Sequence, residues 1–112
     1  MEKDTLTLYP QGDLDMASAK KVKESLDSIL CSRGGLKQLI INLGDVHFID
    51  SSGLGMLIGC YKTMYGRQGK MMICDASDNV YRVLELSGMK KLMPVMRQES
   101  QKPARGESYG KR

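Results

Sequence analysis

The chain has no tryptophan, one phenylalanine (Phe48) and one histidine (His47), and aromatic residues make up only 5% of its 112 positions. A core built from it must be aliphatic and rich in methionine, of which there are nine; flexible methionine side chains serve as filler in such cores. The three cysteines, Cys31, Cys60 and Cys74, are widely spaced and form no CxxC pair, so with a single histidine no metal-ligand cluster is expected. Each lies in an apolar stretch, which predicts free, buried thiols in a reducing compartment. No apolar run approaches the roughly 20 residues of a membrane span. The opening MEKDTLTLYP carries early charges and no apolar stretch, so no signal peptide is expected and a cytoplasmic location is.

What is present describes one folded domain. Hydrophobic residues make up 41% and charged residues 27%, the balance of a globular chain, and the length suits a single core. The formal charge of +4 is unevenly placed. Residues 101–112 hold Lys102, Arg105, Lys111 and Arg112 against Glu107, a net of +3 that leaves +1 for residues 1–100. Such a tail adds salt-dependent attraction to a polyanion but no element that reads bases, so nucleic acid is not expected as a direct partner. Residues 1–98 are expected to form the domain, and residues 99–112, without apolar periodicity, a flexible basic tail.

Apolar periodicity supplies the order of elements. Thr5–Tyr9 alternates polar residues with Leu and Tyr, as a strand with one buried face does. In Ala17–Cys31, Ala19, Val22, Leu26, Ile29 and Leu30 recur at helical spacing until Gly34-Gly35 stops the helix. Leu39–Leu43 is a nearly continuous apolar run, which predicts a strand covered on both faces. Val46–Ile49 continues toward the sheet edge and delivers Asp50, Ser51 and Ser52 to the next helix, whose apolar stripe is Leu54, Leu57, Ile58, Tyr61 and Tyr65. Met71–Cys74 reads as another strand, Ser77-Asp78-Asn79 opens a third helix, and a last short strand falls near Leu92–Met96. The order β-α-β-α-β-α-β implies an α/β fold, a small, mostly four-stranded open sheet with amphipathic helices.

The unusual segment is Phe48-Ile49-Asp50-Ser51-Ser52-Gly53-Leu54-Gly55-Met56-Leu57. Two hydroxyls stand where a helix N-cap belongs, and a serine cap contributes roughly 1 kcal/mol. Glycine in a helix costs about 1 kcal/mol relative to alanine, so Gly53 and Gly55 in the first turn imply that something approaches the backbone closely, a partner's active site being one candidate. A phosphate on Ser51 would lie near the positive end of the helix dipole. It would add about two negative charges beside Asp50, enough to turn a neutral contact surface into a repulsive one without melting the helix.

Phe-Ile-Asp-Ser-Ser-Gly-Leu-Gly, followed by Leu57, Gly59 and Tyr61-Lys62, resembles the signature of STAS domains of the anti-sigma factor antagonist family. The resemblance extends to Gly12-Asp13-Leu14-Asp15, Leu43-Gly44-Asp45-Val46, Met71–Cys74, and Val83-Leu84 with Leu86-Ser87-Gly88, and covers about residues 5–97. It implies a STAS fold and a partner-switching cycle. The unphosphorylated chain would bind an anti-sigma factor that is also a serine kinase, releasing the sigma factor. Phosphorylation of Ser51 would end that contact, and a serine phosphatase would restore it. Implied contact residues are Asp13, Asp15, Asp50, Ser52, Gly53, Leu54 and Gly55. ATP or ADP would be held by the kinase, so the chain itself is expected to need no cofactor, to be no enzyme and to be a monomer when free. The serine pair at 51 and 52 resembles sporulation antagonists more than those of the stress response. With eleven residues before Gly12, the first edge strand is expected to be missing or very short.

The residues also bear on two other functional classes. Gly53-x-Gly55-x-x-x-Gly59 opening a helix, with Asp75 ending the next strand, resembles a nucleotide-binding fingerprint. Against it, Asp50 would repel a pyrophosphate and the chain is too short for the second half of the cleft. A serine hydrolase lacks Gly-x-Ser-x-Gly, and His47 has no evident orienting partner.

Overall fold

A computed structural model describes residues 4–98; the tail expected at 99–112 lies outside the described residues. The elements are β1 (Thr5–Leu8), β2 (Gly12–Leu14), α1 (Met16–Ser32), β3 (Gln38–Asn42), β4 (Val46–Ile49), α2 (Ser51–Gly66), β5 (Lys70–Ala76), α3 (Asp78–Leu86), a 3-10 turn (Met89–Lys91) and β6 (Val95–Arg97). Strands β1, β3, β5 and β6 form one parallel sheet in the order β1-β3-β5-β6. The α/β fold class and its four-stranded sheet are as the periodicity predicts, and the first edge strand is indeed short.

The other two strands correct the expected order. Val46–Ile49 does not extend the main sheet. As β4 it pairs in parallel with β2, a strand that the apolar pattern did not mark, in a separate two-stranded ladder. Three residues are too few for a periodicity signal, and pairing alone makes Gly12–Leu14 a strand. The last strand also begins later than expected: Leu92–Met93 follows the 3-10 turn, and Met93 is buried as a plug beneath it.

The continuous run in β3 is covered on one face, not two. Leu39 and Ile41 join a core with Met71 and Ile73 of β5, Leu26 of α1, Leu57 and Cys60 of α2 and Leu84 of α3. Ile40, in register with Met72, points to the opposite face, and both are half-buried outside that core. The alternation inherent in a strand assigns these faces; the apolar run only masks it. A bulge at Asp75, whose φ is 63°, then returns Ala76 to the buried side.

The helices rotate slightly from their predicted stripes. In α2 the buried residues are Gly53, Met56, Leu57, Cys60 and Met64, while Leu54, Ile58 and Tyr61 pack at the border and Tyr65 is 71% exposed against the face of Tyr61. Two helix neighbours decide this: α2 lies on β5 and alongside α1, so its buried arc follows their common seam. The methionines act largely as filler, with Met56, Met64, Met71, Met89 and Met93 all buried. Cys31 departs from its expectation. All three thiols are free, but only Cys60 is buried; Cys74 is half-buried and Cys31 exposed.

Candidate functional site

The β2–β4 ladder sets Leu14 beside Ile49, and the Asp50 amide donates to the Leu14 carbonyl at 3.3 Å. The next residues, Asp15 and Asp50, are the N-caps of α1 and α2. The ladder therefore brings the N-termini of two helices to one end of the molecule. All the residues singled out from the sequence, from Asp13 to Gly55, gather there.

Their roles divide in a way the sequence did not disclose. The cap of α2 is Asp50 and neither serine: its Oδ1 accepts from the Ser52 amide at 2.8 Å and the Gly53 amide at 3.0 Å. A carboxylate is the stronger acceptor for the unpaired amides at the positive end of a helix. Ser51 is the first helical residue, exposed, and its hydroxyl makes no hydrogen bond among the described residues. Ser52 is half-buried and turned toward α1, where it shares an apolar cleft of about 420 Å³ with Met16, Ala19, Lys20 and Met56.

Asp15 is exposed, but its carboxylate is engaged in its own cap. Its Oδ1 accepts from the Ser18 amide at 3.1 Å, its own amide donates to Ser18 Oγ at 2.9 Å, and Ser18 Oγ donates to the Asp13 carbonyl at 2.7 Å. The bonds from the Ser18 amide and hydroxyl hold the Asp15 carboxyl below the usual carboxylate value. Asp13 is exposed, and its carboxylate has no partner among the described residues. Of the three acids proposed from the sequence, Asp13 alone presents an unengaged side chain.

The two glycines also part company. A β-carbon on Gly53 would stand 2.5 Å from the Leu14 carbonyl oxygen and 2.7 Å from Ile49 Cγ1. What approaches the Gly53 backbone is thus the chain's own β2 and not an external molecule. A β-carbon on Gly55 would meet nothing within 4 Å, and Gly55 is exposed. Its lack of a side chain answers no need inside the fold.

These details weigh against the other chemistries. The amides that would cradle a phosphate at the α2 terminus are already held by Asp50, and β2 closes off Gly53. His47 is exposed with no orienting hydrogen bond among the described residues. Among those residues no group of His, Cys, Asp and Glu could hold a metal ion, and no helix is long and apolar enough to cross a membrane.

One surface residue was missed. Phe48 is 54% exposed, paired in register with Asp13. Plain alternation from buried Val46 would turn Phe48 into the core. The register slips by one residue between Gly12 and Asp13, and the resulting irregularity turns both His47 and Phe48 outward. Its place beside the serine motif was the one available signal.

Residues 2–102 match the family model of the STAS domain. The chain is 34% identical over 84 residues to an anti-sigma F factor antagonist of Paenibacillus polymyxa, a match covering 75% of this chain and 71% of that protein. It is 30% identical over 102 residues to an anti-sigma-B factor antagonist of Listeria monocytogenes, covering 89% of this chain and 88% of that one. The fold is also similar to that of the Bacillus cell fate determinant SpoIIAA solved in its phosphorylated form, with a TM-score of 0.65 at 22% identity over 88% of this chain and 87% of that chain.

Proposed function

The chain belongs to the STAS domain family and, within it, to the anti-sigma factor antagonists, which are regulatory binding proteins and not enzymes; we propose that it works as a switch set by phosphorylation of Ser51. In the unphosphorylated form it binds an anti-sigma factor with serine kinase activity, through Asp13, Ser52, Leu54, Gly55 and the α2 terminus shaped by Asp15, Asp50 and Gly53. The sigma factor is thereby released. A phosphate on Ser51 ends the contact, and a serine phosphatase resets it. ATP or ADP belongs to the kinase. The switch operates in the cytoplasm, the chain being a monomer when free, with residues 1–98 as the binding domain and 99–112 as an appended basic tail.

The observation that carries this proposal is the division of labour between Asp50 and Ser51. Because Asp50 caps α2, the Ser51 hydroxyl is exposed and unused. Esterifying it removes no bond that holds the fold, while about two negative charges arrive beside Asp50 and near Asp13. The binding surface becomes strongly negative and the domain stays folded. That a relative of the same fold is named in a phosphorylated form supports the same reading.

The serine pair and the sigma F relative favour a sporulation role. A stress-response role is favoured instead by the match to a sigma-B antagonist over 89% of the chain. Incubation with the cognate anti-sigma kinase and ATP should add one phosphate, at Ser51, and lower affinity for that kinase. Phosphate mapped to Ser52, or undiminished labelling of Ser51→Ala, would overturn the proposal. The sigma factor set free on mixing decides between the two pathways.

A further inference from the structure

Phe48, the chain's one phenylalanine, lies outside the core in a protein short of aromatic side chains. Burying a phenylalanine is among the larger apolar gains available to a core. The irregularity in the β2–β4 ladder forgoes that gain by turning Phe48 to the surface. Beside it runs a groove of about 290 Å³ between β4 and α3, lined by His47, Phe48, Ile49, Asn79, Arg82 and Val83. No acid lines it. Arg82 is exposed and makes no hydrogen bond or ion pair among the described residues; it also borders a second depression with Asp78, Glu85 and Arg97, where Glu85 pairs with Lys90 and Asp78 with Arg97.

We propose that this groove is a second contact for the anti-sigma partner, taking an apolar side chain flanked by carboxylates. The inference rests on the switch reading above and extends the interface beyond the α2 terminus. Three observations support that occupant. The floor and one wall are apolar (Phe48, Ile49, Val83), so an apolar side chain is what gains by entering. The groove's own charge comes from Arg82, so acidic flanking groups on the partner complement it. Finally, Phe48 is the ladder partner of Asp13, and Ile49 leads directly to Asp50 and Ser51, so the groove is continuous with the proposed binding face. An exposed aromatic beside an unpaired arginine is the composition of an interface hot spot.

The test titrates the unphosphorylated full chain with its purified anti-sigma factor. Phe48→Ala should weaken binding by about tenfold or more. Arg82→Glu, on an exposed side chain that the fold does not use, should weaken it comparably, and its deficit should shrink as salt is raised. Leu86→Ala, 80% exposed on α3 but outside the groove, should bind within about twofold of the original chain. Original-strength binding by both Phe48→Ala and Arg82→Glu overturns the groove and leaves the switch standing. Failure of the unmodified chain to bind the anti-sigma factor overturns both. If Phe48→Ala alone weakens binding and Arg82→Glu does not, the acidic character assigned to the occupant is wrong.

Discussion

The Leu14 carbonyl oxygen lies 2.5 Å from the position a β-carbon on Gly53 would take, and it also accepts the Asp50 amide. One backbone oxygen of β2 thus seats the strand against the first turn of α2 and admits no side chain there. The same contact sets the spacing between the N-termini of α1 and α2, on which the proposed binding face depends.

Gly53 and Gly55 should accordingly respond in opposite ways to the same substitution. Gly53→Ala forces a methyl group onto backbone and should cost about 1–3 kcal/mol. Gly55→Ala places its methyl in open space and should stabilise the helix by roughly 0.5–1 kcal/mol. Yet Gly55→Ala should bind the anti-sigma factor less tightly, since the side chain enters the contact surface. Denaturant melts and binding titrations of both variants check this; equal destabilisation would show that Gly55 too is needed by the fold.

The cap assignment makes its own contrast. Asp50→Ala leaves the Ser52 and Gly53 amides without their acceptor and should cost about 1 kcal/mol. Ser51→Ala and Ser51→Asp should each lie within about 0.5 kcal/mol of the original chain, while Ser51→Asp loses affinity for the kinase. A large loss of stability in Ser51→Ala would mean the hydroxyl is a structural cap after all.

Asp15 makes α1 sensitive to acid. Its carboxyl is held below the ordinary value of 3.8 by the Ser18 amide and hydroxyl. A group depressed in this way stabilises the fold at pH values above its ordinary one, and that contribution is lost as pH falls through the lower folded value. Asp15→Asn keeps a capping oxygen but no titration. The gap in Tm between Asp15→Asn and the original chain should be constant above about pH 5 and narrow below about pH 4. A gap that stays unchanged down to pH 2.5 would contradict this.

The thiols should react in order of exposure. Cys60 is buried and its pKa is pushed up to about 11 by loss of solvent, while burial raises Cys74 in the same direction. At pH 8 roughly one Cys60 in a thousand would be thiolate. A maleimide should label Cys31 first, Cys74 more slowly and Cys60 only on unfolding, which peptide mapping of a time course would read directly.

The sequence by itself determined the α/β class, the three helices and the place of the proposed binding segment, because apolar periodicity and turn residues act over a few positions. It also located Ser51, through a motif whose parts are contiguous. Neighbouring strands and helices settled the rest. Nothing in Asp13-Leu14 says strand until β4 pairs with it. Nothing distinguishes Gly53 from Gly55 until β2 comes to rest against one and not the other. The serines resemble caps until Asp50, delivered by the end of β4, takes the amides first. Phe48 reads as core until a one-residue slip in register turns it out. Each of these depends on where a distant part of the chain is placed, and a shift of one residue along a strand is enough to reverse which side of the surface a side chain occupies.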